Sequence, residues 1–192
     1  MVTAKDYIQM CYDFSKSANV PSGCWLPIPM LGILEELGEL THPFKSYFLS
    51  EDQTLDVQNL KEEIGDVFFV VTLYQMRCYC VPDHHKEEEC LIAVINEIED
   101  SLLKVSSWHK DYFPTYGDKF DLDDADAPRV VSDVLARLSL LCINLITSLR
   151  PDEDIVFQIF KYLSIVCRFI DTSLEEVIEQ NYRKIKARFN IH

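Results

Sequence analysis

Apolar residues recur every three or four positions along most of the chain, and this spacing restricts its fold more than any other feature. Between about Lys86 and Trp108 the repeating positions are Leu91, Ile92, Val94, Ile95, Ile98, Leu102 and Leu103. This period places apolar side chains on one face of an α-helix. The chain has only 5 Gly, and most of its 8 Pro lie between such segments, so little interrupts helix formation. We therefore predict an all-α helical bundle of six or seven helices.

Prolines, glycines and capping residues indicate where the helices begin and end. We predict helices over about Thr3–Ala18, Pro29–Leu40, Leu55 or Val57 to Tyr79, Lys86–Trp108, Arg129–Leu149, Asp152–Ile170, and from Thr172 or Ser173 onward. The alternative end of the second helix is toward Phe48, but we expect His42-Pro43 to break or kink it, because proline lacks the N–H that a helix interior needs. The last helix begins at a capping signal, in which Thr172 or Ser173 precedes Glu175 and Glu176.

An acidic, proline-containing segment separates the helices into two groups. Residues 111–128 hold six Asp together with Pro114, Gly117 and Pro128, a composition typical of an irregular connection. We predict a catalytic unit at 1–110, an acidic linker at 111–128 and a C-terminal helical unit at 129–192, packed on the same bundle. The linker superficially resembles a calcium loop, but it lacks the midpoint glycine and terminal glutamate of an EF-hand. A solvated acidic loop is the better interpretation.

Charge and hydropathy exclude several classes of function. The formal net charge is -14, with 32 acidic against 18 basic residues, and this disfavours binding to nucleic acid or to anionic membranes. A polyphosphate carrying its own magnesium is compatible with such a surface. No secretion signal and no run of 18 apolar residues is apparent, so we expect a cytoplasmic protein. The 7 cysteines lack the paired spacing of a zinc site and are expected to be mainly buried thiols.

Two similar acidic pentapeptides lie 27 positions apart within helical segments. They are Glu35-Glu36-Leu37-Gly38-Glu39 and Glu62-Glu63-Ile64-Gly65-Asp66. Residues three apart share a helix face, so Glu36 with Glu39, and Glu63 with Asp66, would converge if the helices pack antiparallel. A mid-helix glycine costs about 1 kcal/mol relative to alanine. We attribute both glycines to a close backbone approach between these two helices.

The type of ligand in this cluster selects the metal. The positions three after Glu36 and Glu63 hold acids and not the histidines of a di-iron bundle. An all-oxygen set suits Mg²⁺, with Mn²⁺ as a substitute. The alternative is that these glutamates are simply solvated surface residues, but two copies of the motif favour a cation that offsets carboxylate repulsion.

This spacing resembles the all-α nucleoside triphosphate pyrophosphohydrolases, the MazG-like and dimeric dUTPase-like superfamily. The resemblance covers about residues 29 to 80 and, more loosely, the first helix. It implies an α-helical, usually dimeric enzyme that hydrolyses a nucleoside triphosphate to the monophosphate and pyrophosphate. It also implies that Glu36, Glu39, Glu63 and Asp66 hold Mg²⁺, and that Glu35 assists metal binding or activates the attacking water.

The C-terminal segment adds candidate substrate-binding residues. Asn181, Lys184 and Arg188 resemble the Asn-x-x-Lys-x-x-x-Arg element of that superfamily, which implies that they bind phosphate. Alternatively, basic residues in a last turn only complement the helix dipole. Trp25, Phe69 and Tyr74 are candidates for stacking on a base, although aromatic residues at such positions are more often part of a core.

The sequence departs from the superfamily in its length. In short members the basic element closely follows the second acidic helix, whereas here 115 positions separate Asp66 from Asn181. One explanation is a degenerate second unit that makes the chain a pseudo-dimer, because 130–134 and 96–100 faintly echo the two acidic motifs. The other is an unrelated helical extension. An alternative function is a non-catalytic nucleotide sensor or helical interaction module that has kept the metal cluster.

Overall fold

A computed structural model describes residues 2–17, 24, 26–51, 54–79, 87–112, 121–150 and 152–189. Within them the helices are α1 (Ala4–Ser17), α2 (Pro27–Leu49), α3 (Val57–Tyr79), α4 (Glu87–Tyr112), α5 (Ala127–Ser148), α6 (Glu153–Phe169) and α7 (Leu174–Phe189). The described residues contain no strand, so the predicted all-α fold is confirmed.

Helix α3 lies at the centre of the bundle and packs against α1, α2, α4, α6 and α7. Its sequence explains this position, because apolar residues cover most of its circumference and every residue from Val70 to Met76 is buried. The Phe68 ring on α3 lies 4.6 Å from the Phe160 ring on α6, measured between centroids. One continuous core therefore joins the two predicted units.

Helix α2 does not end at His42-Pro43, so the predicted end at Leu40 was wrong, and the helix reaches the alternative end near Phe48. The helix runs from Pro27 to Leu49 with Pro43 inside it. A proline in a helix interior costs about 3 kcal/mol or more. The apolar face nevertheless continues beyond it through Phe44 and Tyr47, both buried, and burial of one such side chain contributes about 1.5–3 kcal/mol. Packing of the last two turns thus offsets the lost backbone hydrogen bond.

The C-terminal helices complete the bundle around α3. Helix α5 packs on α6 and α2; it is long and apolar enough to cross a membrane by length and composition alone. Helix α7 begins at the predicted capping signal. The Glu176 N–H donates to Ser173 Oγ at 3.1 Å, and the Thr172 hydroxyl donates to the Glu176 carboxylate at 3.0 Å. The capping prediction is therefore confirmed.

The connection between the two groups of helices is only partly described. Helix α4 continues to Tyr112, beyond its predicted end at Trp108, and α5 begins at Ala127. Residues 122–126 form turns and a bend, in which Asp123 accepts a hydrogen bond of 2.6 Å from the Tyr47 hydroxyl. Residues 113–120 of the predicted linker lie outside the described residues.

Candidate metal centre

Helices α2 and α3 bring three of the predicted metal ligands together. Glu36, Glu39 and Glu63 each offer a carboxylate oxygen, and these oxygens lie within 4.8 Å of one another. The two helices run antiparallel, since Gly32 on α2 faces Val70 on α3, while the later α2 residues Glu36 and Glu39 lie beside the earlier α3 residue Glu63. The helical spacing within each pentapeptide thus produces one acidic cluster.

The glycines of the two motifs do not serve the predicted contact between α2 and α3. Apart from the backbone of its own helix, no atom of the described residues lies within 4 Å of a Cβ placed on Gly38. A Cβ atom at Gly65 would lie 2.8 Å from the Cβ of Asn181 on α7, so Gly65 allows α7 to approach instead. The residue where α2 lies close to α3 is Gly32, whose Cβ position is 3.1 Å from Val70 Cγ1. The prediction failed because a glycine in a helix does not indicate which neighbour approaches it.

Glu36 carries an unusual electrostatic cost. Burial is the largest of the causes that raise the pKa of its carboxyl to about 7, and the charges of Asp66, Glu39, Glu63 and Glu35 contribute to the same shift in that order. Its Oε2 atom is buried and makes no hydrogen bond within the described part of the chain. A buried carboxylate oxygen without a partner is expensive unless a cation or a proton satisfies it.

Glu63 is more deeply buried and shares the same environment. The pKa of its carboxyl is raised to about 7, mainly by burial and then by the charges of Glu39 and Asp66 and a hydrogen bond with Glu39, while the charge of Lys184 opposes the shift. Two neighbouring carboxylates cannot both ionise at low cost. Without a metal, the cluster therefore retains protons near neutral pH.

Asp66, the fourth predicted ligand, is held by α7 and is not one of the three clustered acids. The Asn181 side-chain amide donates from Nδ2 to Asp66 Oδ1 at 2.7 Å, and Lys184 Nζ donates to Asp66 Oδ2 at 2.5 Å. The basic element thus reaches the acidic motif although 118 positions separate Lys184 from Asp66. Charge-assisted hydrogen bonds of this length fix the orientation of a carboxylate.

Tyr7 is connected to this site, although its sequence context does not predict it. Its hydroxyl donates to Asn181 Oδ1 at 2.7 Å, and both side chains are buried. Tyr7 lies on the apolar face of α1, where its sequence context is that of an ordinary core residue. No local spacing could have revealed a hydrogen bond across 174 positions.

The other candidate residues occupy different surroundings. Glu35 is exposed on α2, and the exposed Arg188 guanidinium lies 5.5 Å from the Phe189 ring. Phe69 is half-buried, with its ring 5.2 Å from that of Phe14. Tyr74 is fully buried and donates to the Leu145 carbonyl at 3.0 Å. Trp25 lies outside the described residues.

The two segments that echo the acidic motifs have other surroundings. Glu97 is buried and accepts a hydrogen bond of 2.7 Å from Gln75, whereas Asp133 pairs with Arg137 on an exposed face at 2.7 Å. Among the described residues, Glu36, Glu39 and Glu63 form the only group of three or more potential ligands.

The donor set at this centre fits a hard divalent cation. All of its ligands are carboxylates, which suit Mg²⁺ and Mn²⁺ better than softer metals. A bound cation would satisfy the unpartnered Glu36 oxygen and would offset the repulsion that raises the two pKa values. No protein-family model matches this chain, and no curated protein or solved structure matches it either.

Proposed function

We propose that the protein is a Mg²⁺-dependent hydrolase that converts a nucleoside triphosphate to the monophosphate and pyrophosphate. The observation that carries this proposal is the meeting of the clustered acids of α2 and α3 with a lysine of α7 at Asp66. Carboxylates can hold a divalent cation, and a neighbouring ammonium can bind phosphate oxygens. Residues from distant parts of the chain therefore support a site for a metal-bound polyphosphate.

In this proposal each acid has a defined task. Glu36, Glu39, Glu63 and Asp66 hold the Mg²⁺, and Mn²⁺ can replace it. When bound, the metal neutralises phosphate charge and lowers the pKa of an attacking water. Glu35 accepts the proton of that water, because it is an exposed carboxylate of the motif that does not belong to the three clustered acids.

The residues of α7 bind the substrate in the same proposal. Lys184 transfers its contact from Asp66 to a phosphate oxygen, Asn181 continues to orient Asp66, and Arg188 lies one turn beyond Lys184 to receive the outer phosphates. Phe69, which is half-buried, is a better stacking candidate than the fully buried Tyr74.

The test is pyrophosphate release from a panel of ribo- and deoxyribonucleoside triphosphates with Mg²⁺. We expect monophosphate and pyrophosphate as products, and we expect Glu35→Gln to lower kcat by about 10²–10⁴-fold, the usual contribution of a general base. Glu39→Gln and Asp66→Asn should raise the Mg²⁺ concentration needed for activity. Glu62→Gln is the matched control, since Glu62 belongs to the same motif but accepts a hydrogen bond from Gln58 at 3.0 Å.

Two results would contradict the proposal. One is the absence of pyrophosphate across the whole panel, and the other is activity in Glu39→Gln and Asp66→Asn equal to that of the wild type. Release of orthophosphate alone would identify cleavage of a different bond and would also count against it.

A non-catalytic nucleotide sensor is the second candidate, favoured by the engagement of both Asp66 oxygens with α7. Such a protein would bind Mg²⁺-nucleotide tightly without forming product. Calorimetry combined with product analysis distinguishes the two, because turnover excludes a sensor that only binds.

A further inference from the structure

We infer that Tyr7 is a positioning residue of the metal centre: it fixes the Asn181 amide and, through it, the orientation of the Asp66 carboxylate. The inference rests on the proposed function, in which Asp66 holds the metal. It assigns a role to a residue of α1, a helix that supplies no carboxylate to the acidic cluster.

The direction of each hydrogen bond in this chain follows from chemistry. An ionised carboxylate only accepts hydrogen bonds, so the Asn181 group 2.7 Å from Asp66 Oδ1 must be the NH₂. The amide oxygen of Asn181 then faces Tyr7, and an amide oxygen only accepts. The Tyr7 hydroxyl must therefore be the donor in its 2.7 Å contact. One orientation of the amide satisfies both neighbours, and the flipped amide would place two oxygens against each other at Asp66.

Packing holds Tyr7 and Asn181 in these positions. Tyr7 is 1% exposed, and its ring meets the Phe68 ring edge-on with centroids 5.1 Å apart. Asn181 is 2% exposed and lies against the α3 backbone at Gly65, the residue directly before Asp66. Burial raises the pKa of Tyr7 well above its usual value, so the hydroxyl keeps its proton. The donor is thus permanent across the pH range in which the protein would work.

The hydrogen bonds from α7 determine the orientation of the Asp66 carboxylate. Asn181 donates to Oδ1 and Lys184 donates to Oδ2. These two residues of α7 therefore fix the rotation of the Asp66 carboxylate. Hydrogen-bond partners behind a ligand commonly tune metal affinity by 10–100-fold. Tyr7 is one hydrogen bond further from the metal ligand than Asn181 is. We therefore expect loss of its hydroxyl to change Mg²⁺ affinity by an amount near the lower end of that range.

The experiment compares Tyr7→Phe with Tyr47→Phe in the full-length protein. Both substitutions remove the hydroxyl of a buried tyrosine that donates to a side-chain oxygen, but the Tyr47 hydrogen bond is part-buried and its partner is Asp123, outside the acidic cluster. Mg²⁺ affinity is measured by calorimetry, and activity is measured as a function of Mg²⁺ concentration. We expect Tyr7→Phe to weaken Mg²⁺ binding about ten-fold while the rate at saturating Mg²⁺ stays close to that of the wild type.

A double-mutant cycle separates positioning from general destabilisation. In an Asn181→Ala background, adding Tyr7→Phe should produce no further loss of Mg²⁺ affinity, because the connection is already broken. Urea denaturation of every variant, with Mg²⁺ binding measured where each is fully folded, removes the contribution of unfolding. An equal effect of Tyr7→Phe in both backgrounds would show that Tyr7 does not act through Asn181, and it would overturn the inference.

The outcomes for Tyr7 and for the proposed function are distinguishable. If the wild type binds Mg²⁺ and releases pyrophosphate, but Tyr7→Phe matches Tyr47→Phe, the role of Tyr7 is overturned and the proposed function stands. If the wild type binds Mg²⁺ without hydrolysis, the enzyme proposal fails, and the affinity comparison still decides the role of Tyr7. A wild type that binds no Mg²⁺ overturns both.

Discussion

At the scale of single residues, Gly38 and Gly65 show that equivalent motif positions can have opposite structural requirements. Gly38 faces open space, whereas a side chain at Gly65 would overlap Asn181. The first glycine therefore only costs helix stability, and the second permits the contact through which α7 reaches Asp66. These requirements differ although both residues directly precede the last acid of their motif.

We predict opposite effects of alanine at these two glycines. Gly38→Ala should raise the free energy of unfolding by about 0.5–1 kcal/mol, because alanine is the better helix former. For a chain of this size, that corresponds to a rise in Tm of about 1–4 °C. Gly65→Ala should lower stability by about 1–3 kcal/mol through overpacking. Thermal and urea denaturation of the two variants checks this, and a stable Gly65→Ala protein would contradict the close approach of α7.

The acids of the cluster predict a pH dependence. The folded-state pKa values of Glu36 and Glu63 are raised from 4.5 to about 7. Their protonated forms therefore favour the folded, metal-free protein. That contribution is complete below the unfolded pKa of 4.5 and is lost as the pH rises through about 7. A cation binds the deprotonated carboxylates, so Mg²⁺ must displace these protons.

Mg²⁺ affinity should consequently increase as the pH rises from about 6 to about 8, with protons released on binding. Calorimetry in two buffers of different ionisation enthalpy measures this release. In Glu63→Gln fewer protons should be released, because one of the two shifted carboxyls is absent. Binding that is independent of pH, with no buffer dependence, would argue against metal ligation by these acids.

At the scale of helices, similar sequence signals at two N-termini have different structures. Asp152 caps α6, since its side chain accepts a hydrogen bond of 3.0 Å from the Ile155 N–H. Asp126 occupies the same position before α5 but makes no side-chain capping bond; it lies 3.6 Å from Arg129 in an exposed ion pair. Exposed pairs of this kind contribute little to stability.

We predict that Asp152→Ala lowers the free energy of unfolding by about 1 kcal/mol, the usual contribution of an N-cap. Asp126→Ala should change it by less than about 0.5 kcal/mol, as expected for a surface substitution. Chemical denaturation of both variants measures the difference. Equal losses would mean that Asp126 also caps its helix in solution.

At the scale of the whole molecule, α3 connects both groups of helices. It carries Glu63 and Asp66, and it packs on α4, α6 and α7. Because the core is continuous from Tyr7 on α1 to Ile185 on α7, neither group can bury its apolar surface alone. The candidate site needs the same arrangement, since α7 contributes the contacts to Asp66.

We expect the two groups of helices to unfold together. In hydrogen exchange measured by mass spectrometry at increasing urea, the most protected amides of α3 and α6 should begin to exchange at the same denaturant concentration. Saturating Mg²⁺ should raise the urea concentration at which exchange begins by the same amount in α3 and in α6. A ligand of the folded state stabilises every part of one cooperative unit. Earlier exchange throughout α5, α6 and α7 would instead indicate two independent units.

The local sequence was sufficient to predict the helices and most of the acidic cluster. The apolar period predicts each helix because helical hydrogen bonds are local, and the i, i+3 spacing of Glu36 and Glu39 predicts a shared face for the same reason. Pro43 is an exception, because the free-energy cost of a proline inside a helix is offset by the packing of Phe44 and Tyr47. That packing depends on neighbours that are remote in sequence.

The sequence by itself determined an all-α protein with acidic faces on two consecutive helices, because both properties follow from spacing along the chain. Only the tertiary structure decided that α7 reaches Asp66, that Gly65 makes room for Asn181, and that Tyr7 completes the connection. Each of these contacts joins residues more than 100 positions apart. Such contacts follow from how helices pack together, and the periodicity of a single helix carries no record of that packing.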